Sequence, residues 1–215
     1  MHKQQLSQKK AFTLIEMLVV IFVLWVGILS IVVLITRNLS LTKNIHIQNS
    51  ATILAREGIE LAYNYKNTNT MLWYPWNCAI RTTTTTSEDN CEQYFYTWNS
   101  NNSRFRVDGI LQNQSQVILT PVSTAAQDFD TIWNETQLYL TGINVGNSTI
   151  TWYTHEGGSP SPFARFISFT GMSNLPQGSP ITSQDIHHIT STVLFHINNT
   201  TTGQVSLESF ISNPR

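Results

Sequence analysis

The residue that stands out chemically is Glu16, an acidic side chain at the edge of a long apolar run. The run Met17–Ile35 holds 19 residues without a charge, and a carboxylate beside it is costly wherever the run lies in lipid. An intramembrane carboxylate usually pairs with a cation or serves a function. The alternative interpretation is that Glu16 extends its charge to the lipid headgroups, as polar side chains near span ends do.

The histidines are not predicted to form a metal-binding or catalytic group. His187 and His188 are adjacent on a predicted strand and therefore point to opposite faces, which is a poor chelating geometry. His155 and Glu156 precede a Gly-rich stretch and are predicted to lie in a solvated turn. The sequence also contains no GxSxG, HExxH or Gly-rich phosphate-loop motif. We therefore predict no enzymatic activity, no catalytic residues, no metal and no cofactor.

Three acidic residues suggest one candidate metal site, a calcium loop. Asp128 and Asp130 have the spacing that begins a calcium loop, and Glu135 follows them. The neighbouring residues do not continue the ligand pattern: Phe129, Thr131, Ile132 and Trp133. Calcium is therefore a minor alternative.

Composition points to an extracellular β-rich protein. Only 12% of residues are charged, about half the usual share. Thr, Ser, Asn and Gln together make 79 of the 215 residues. Residues 67–215 hold 5 Lys or Arg against 10 Asp or Glu, so this part of the chain would repel phosphate and no nucleic acid is predicted as its partner.

The N-terminal segments predict a single-pass membrane protein. A helix over the 19-residue run would span roughly 28 Å, close to the hydrocarbon thickness of a bilayer. Residues 1–11 hold three lysines and no acid, so they are predicted to stay in the cytoplasm and residues after Arg37 to lie outside. A cleaved secretory signal would have a shorter apolar run. On composition alone, a plain signal anchor is also consistent.

The segment Lys9–Ile21, KKAFTLIEMLVVI, resembles the prepilin signature of type IV pilins and pseudopilins. It has the basic leader, a small residue, Phe12, the Thr-Leu-Ile tripeptide, Glu16 and a long apolar helix. The resemblance implies cleavage between Ala11 and Phe12 by a prepilin peptidase, followed by N-methylation of Phe12. Gly is the commoner residue before the cut, so Ala11 is a departure that could slow processing.

The same resemblance implies a role in assembly for Glu16. In that family its carboxylate pairs with the Phe12 amine of a neighbouring subunit and recruits the subunit into a filament. The implied partners are the prepilin peptidase, other pilin or pseudopilin subunits, an inner-membrane assembly platform and the bilayer before assembly. The implied location is the inner membrane, with the N-terminus inside, and then an extracellular or periplasmic filament.

A second apolar pattern predicts that the helix continues beyond the membrane. Its residues recur at intervals of four and three and so share one helical face: Ile47, Ala51, Leu54, Gly58, Leu61 and Tyr65. Gly58 would permit a close approach or a bend. The segment Leu54–Asn67 resembles a helix motif of minor pilins and minor pseudopilins, although an ordinary amphipathic helix explains it nearly as well.

The two cysteines, Cys78 and Cys91, are predicted to form a disulfide. They are the only cysteines, and the predicted topology places them in an oxidising compartment. The bond would close a short loop that contains five consecutive threonines.

Short strands are predicted from about residue 104 onwards. The candidates are Arg104–Asp108, Gln116–Thr120, Gln137–Gly142, Thr149–Thr154, Phe163–Thr170, Ile189–Ile197 and Gln204–Ile211. The last two form a predicted hairpin around the turn Asn198–Gly203, and residues 157–162 read as a loop. The pieces Ser161–Phe169 and Ser191–Asn213 resemble the final strands of minor pilins.

We therefore predict an α+β fold in which a long N-terminal helix, half transmembrane and half amphipathic, packs on an antiparallel β-sheet head. The predicted regions are a cleaved leader (1–11), a membrane and filament-core helix (12–36), an amphipathic helix (37–66), a disulfide-closed region (67–103) and a β-rich head (104–215). The predicted function is that of a minor subunit of a type IV pilus or related pseudopilus. The alternatives are a type II secretion pseudopilin, a filament-displayed adhesin and a membrane-anchored surface domain that does not polymerise.

Overall fold

The computed structural model describes residues 13–81, 91–94, 104–108, 117–122, 128–145, 148–171, 186–198 and 201–212. The chain forms two structural units with a boundary between His46 and Ile47. Ala11, Phe12 and the threonine run between the two cysteines lie outside the described residues. The fold is α+β, with a long N-terminal helix and an antiparallel sheet, as predicted.

Helix α1 runs from Leu14 to Met71. It contains one stretch that is long and apolar enough to cross a membrane. The helix ends five residues later than the predicted Lys66, because tertiary bonds hold its last turn. Asn69 is buried there, and its amide Nδ2 donates to the carbonyl oxygen of Cys78 at 2.8 Å.

The second unit confirms the apolar stripe that the spacing predicts. Four members of the stripe are buried and two are partly buried against the core: Ala51, Leu54, Gly58 and Tyr65, then Ile47 and Leu61. Ala55 and Ala62 widen the buried face. Small residues on this face let the helix backbone lie close to the sheet.

Seven strands form one antiparallel sheet in the second unit. They are β3 (Arg104–Asp108), β4 (Ile118–Pro121), β5 (Gln137–Val145), β6 (Ser148–Thr154), β7 (Ser159–Gly171), β8 (Ile186–Asn198) and β9 (Thr201–Ser212). All seven correspond to predicted strands. Two strands that the periodicity did not reveal, β1 (Cys78–Arg81) and β2 (Cys91–Tyr94), form a separate pair.

The long strand β7 organises the sheet. One edge of β7 pairs with β8 from Phe163 to Gly171. Its other edge pairs with β5 near the start of the strand and with β3 further along, at Ile167 and Ser168. A single strand therefore joins the β5–β6 hairpin, the β3–β4 pair and the β8–β9 hairpin.

Two loop predictions are wrong in their extent. Strand β7 already begins at Ser159, inside the predicted loop, because only Gly157 and Gly158 take the left-handed backbone that ends the preceding turn. The predicted six-residue turn of the last hairpin is also shorter, since Asn198 pairs directly with Thr201.

A short helix packs on the face of the sheet opposite to α1. Helix α2 (Phe129–Thr136) packs Ile132 and Trp133 against Ala164, Phe166 and Leu194 of β7 and β8. Asp128 caps α2 by accepting a hydrogen bond from the Thr131 N–H at 3.1 Å, and this bond lowers the pKa of Asp128. The acidic group that suggested calcium therefore marks a helix start.

Candidate functional sites

Glu16 closes a capping box at the start of α1. Its Oε2 atom accepts hydrogen bonds from the Thr13 backbone N–H and from the Thr13 hydroxyl, each at 3.2 Å. The Glu16 N–H in turn points to the Thr13 hydroxyl oxygen at 3.4 Å. The sequence Thr-x-x-Glu forms this arrangement because both side chains satisfy N–H groups that the first helical turn leaves free.

The capping box uses only half of the carboxylate. Both bonds from Thr13 go to Oε2, and no residue in the described part of the chain donates to Oε1. The positive end of the helix dipole also favours a negative charge at this place. Glu16 can therefore cap its own helix and still accept a hydrogen bond from a cation outside the chain.

The first unit presents an exposed apolar helix surface. Every large apolar side chain from Leu14 to Ile35 is about half exposed or more. An apolar surface of this extent is not stable in water and needs lipid or protein around it. The position of Glu16 at the start of this surface makes the two features one candidate site.

In the second unit, Arg165 forms a polar clamp with Glu57 and two backbone carbonyls. Its guanidinium is fully buried on β7. Nη1 lies 3.2 Å from the Glu57 carboxylate and donates to the Leu54 carbonyl oxygen at 3.3 Å, while Nη2 donates to the Val107 carbonyl oxygen at 3.1 Å. The polar clamp therefore ties α1 to β7 and β3 with one side chain.

His155 belongs to the same buried region, and the prediction of a solvated turn is wrong. The residue is 95% buried, with Nδ1 2.8 Å from Asp108 Oδ1 and Nε2 2.9 Å from the Arg165 carbonyl oxygen. Both ring nitrogens therefore face an oxygen acceptor inside the head. Burial by itself raises the pKa of Asp108, but the hydrogen bonds and charge of His155 outweigh it and lower that pKa.

Gly58 marks the closest approach of α1 to the sheet. A Cβ atom at this position would overlap the Ser191 hydroxyl oxygen and would lie 3.2 Å from Arg165 Cδ. Gly58 and Glu57 are neighbours, so the same helical turn supplies both the space for Arg165 and its ionic partner. The Arg-Glu-Gly-Ile-Glu segment therefore serves the packing of α1 on the sheet.

The disulfide between Cys78 and Cys91 is present, as predicted, and it joins β1 to β2. The end of α1 holds the same strand: the Tyr65 hydroxyl donates to the Ala79 carbonyl oxygen at 2.7 Å. The disulfide therefore holds β1 and β2 together, and buried hydrogen bonds from Tyr65 and Asn69 hold β1 against the end of α1.

His187 and His188 lie on opposite sides of β8, as the strand prediction required. His187 is fully buried beside the Trp76 ring, with centroids 5.4 Å apart, and burial lowers its pKa to about 4. His188 is partly exposed and lies 3.1 Å from Glu208 on β9. The two rings therefore cannot share a ligand.

Sequence reasoning missed the polar clamp, the buried state of His155 and the capping function of Glu16. The Thr-x-x-Glu spacing was a readable signal for the capping box. Arg165 lies between the aromatic residues Phe163 and Phe166, which could have indicated a buried cation. Its ionic partner Glu57 lies 108 positions earlier, however, so no local pattern could have predicted the pair.

Comparisons with protein-family models, with curated proteins and with solved structures find no match to this chain.

Proposed function

We propose that this chain is a minor structural subunit of a type IV pilus or a related pseudopilus. On this proposal it is inserted in the inner membrane, cut between Ala11 and Phe12, N-methylated, and assembled through its N-terminal helix. The observation that carries the proposal is Glu16, a carboxylate at the start of an exposed apolar helix whose Oε1 atom accepts no hydrogen bond from the described residues.

The electrostatics of Glu16 favour a cationic partner. Lipid or a helix bundle around the first unit would remove the carboxylate from water, which is costly unless a positive charge compensates it. The amine that cleavage would create at Phe12 of a neighbouring subunit is such a charge. A charge-assisted hydrogen bond from this amine to Oε1 would leave the Thr13 bonds to Oε2 in place.

A membrane-anchored surface domain that does not polymerise is the second candidate. It is favoured by the capping box itself, because helix capping explains Thr13 and Glu16 without any neighbouring subunit. The two candidates differ in what they require of Glu16. Assembly requires its charge, whereas capping requires only an oxygen acceptor.

The substitution Glu16→Gln separates these requirements. Gln can occupy the same position of a capping box, so the variant keeps the helix start but loses the charge. We expect normal membrane levels and at least a tenfold loss from sheared filaments, since removing one partner of a desolvated ion pair costs about 3–5 kcal/mol. The measurement is an immunoblot of the membrane and filament fractions.

Thr13→Val is the matched control. It removes the capping hydroxyl but keeps the Glu16 charge and the Thr13 backbone N–H. We expect Thr13→Val protein to enter filaments at close to the wild-type level. If Glu16→Gln protein assembles normally while Thr13→Val protein does not, Glu16 is a helix cap and the assembly role is wrong.

A further inference from the structure

The end of α1 holds a tryptophan in a backbone conformation that favours glycine. The Tyr74 N–H donates to the Asn69 carbonyl oxygen at 2.9 Å, and the Trp73 N–H donates to the Thr70 carbonyl oxygen at 3.3 Å. This pair of bonds is the Schellman motif, in which the residue after the helix cap is left-handed and is usually Gly. Here that residue is Trp73, with φ of 61°.

The Trp73 side chain is hardly packed against the head, although its backbone is held in a strained conformation. It is 93% exposed, and the two preceding residues, Met71 and Leu72, are 80% and 40% exposed. A bulky residue with positive φ is an outlier, and such strain persists where it serves a function. The Schellman bonds meanwhile hold the backbone of Trp73 in a defined place, so little further backbone entropy is lost when its side chain binds.

We propose that Trp73, with Met71 and Leu72, anchors this head to an uncharged apolar pocket on a neighbouring protein subunit. This proposal rests on the proposed function, since it takes the partner to be another protein of the same filament. Buried Trp side chains are the commonest energetic centres of protein interfaces. The three exposed side chains are contiguous and apolar, as the core of such an interface requires.

The charges near Trp73 favour a protein pocket over a lipid surface. No charged residue occurs from Asn67 to Ala79. The nearest cation along the sequence is Lys66, whose Nζ atom lies 5.9 Å from the centroid of the Trp76 ring. Membrane-surface anchors combine Trp with Lys or Arg beside it, because anionic headgroups contribute much of the binding.

The decisive variant is Trp73→Gly, tested in the full-length protein. Gly relieves the left-handed strain, so the melting temperature of the head should rise by about 2–4 °C. The same variant removes the anchor, so its level in sheared filaments should fall at least tenfold. A residue that served only the fold would not give higher stability and lower assembly together.

Two further variants make the result specific. Trp73→Phe keeps the strained backbone and an apolar ring, so it should assemble better than Trp73→Gly. Phe210→Thr removes another exposed aromatic side chain, on β9, and should assemble like wild type. If Phe210→Thr fails as badly as Trp73→Gly, the effect is one of general surface hydrophobicity and the proposal is overturned.

A photoreactive benzoylphenylalanine at position 73 identifies the occupant in intact filaments. We expect an adduct with a protein that co-purifies in the filament, and an adduct with lipid or glycan overturns the proposal. If wild-type protein and the Trp73→Gly variant enter filaments equally well, the proposal is also overturned, while the proposed function stands. If wild-type protein is absent from filaments, the proposed function itself fails.

Discussion

Arg165 is a charged side chain placed inside the head, and its pairing explains how the fold tolerates it. A buried guanidinium is costly unless its partners replace water, and three groups do so for its two terminal nitrogens: the Glu57 carboxylate and two backbone carbonyls. These partners come from α1 and β3, whereas Arg165 itself lies on β7. The residue therefore joins segments that are distant in sequence.

Replacing Arg165 with Met should destabilise the head by about 2–4 kcal/mol, because the Met side chain fills the site but leaves buried carbonyls without their donor. Glu57 is 42% exposed and can recover hydration, which keeps the loss below that of a fully buried pair. The measurement is denaturant unfolding followed by tryptophan fluorescence. Arg56→Met breaks only an exposed pair with Glu60 and should cost about 0.5 kcal/mol or less. Equal losses for the two variants would contradict the polar clamp.

His187 predicts how stability depends on pH. Burial lowers its pKa to about 4, compared with 6.5 for an ordinary histidine, so the unfolded chain binds a proton more readily than the folded head. Stability should therefore fall as the pH is lowered from 6.5 to 4, by about 3 kcal/mol in total. Thermal unfolding at a series of pH values measures this slope.

Two comparisons assign the slope to His187. His187→Phe should flatten it, whereas His188→Gln, on the other side of the same strand, should leave it unchanged. The lowered pKa of Asp108 acts in a different window, because its stabilisation is complete above pH 3.8 and is lost only below that value. A slope that survives in His187→Phe would contradict the assignment.

At the scale of elements, the contact between α1 and the sheet depends on Gly58. Gly is normally unfavourable in a helix by about 1 kcal/mol relative to Ala, so a glycine here needs a steric reason. The reason is Ser191 on β8, whose hydroxyl oxygen occupies the space of a Cβ atom. The loss in helix propensity is offset by the close packing of α1 on the sheet.

Gly58→Ala should therefore destabilise the head by about 1–3 kcal/mol, despite the better helix propensity of Ala. Ser191→Ala removes the obstructing oxygen, which has no hydrogen-bond partner among the described residues. The double variant should recover a large part of the loss, and a double-mutant cycle from denaturant unfolding measures the coupling. Additive effects of the two substitutions would show that the two residues do not compete for space.

For the whole molecule, assembly as proposed requires a processed N-terminus. Mass spectrometry of purified filaments should find a chain that begins at an N-methylated Phe12. Ala11→Gly should shorten the processing half-time in a pulse-chase experiment, because Gly is the commoner residue before the cut in the family that this segment resembles. Recovery of intact Met1 from assembled material would contradict the pilin assignment.

Most of the elements of this protein could be predicted from its sequence alone, because their signals are local. The apolar run and the stripe from Ile47 to Tyr65 predicted α1, and alternation predicted the seven strands of the main sheet. The disulfide followed from there being only two cysteines. The strand ends, the extension of α1 to Met71, helix α2 and the β1–β2 pair were missed, since tertiary bonds or short local signals decide them.

Which side chains meet in the head depends on the folded chain and could not be predicted. Glu57 and Arg165 are 108 positions apart, and Asp108 and His155 are 47 apart, so no periodicity connects them. Their pairing depends on the order of strands around β7 and on the close approach at Gly58, which are properties of the packed sheet. A buried charge is stable only where distant segments together replace its hydration, and this compensation exists only once the chain has folded.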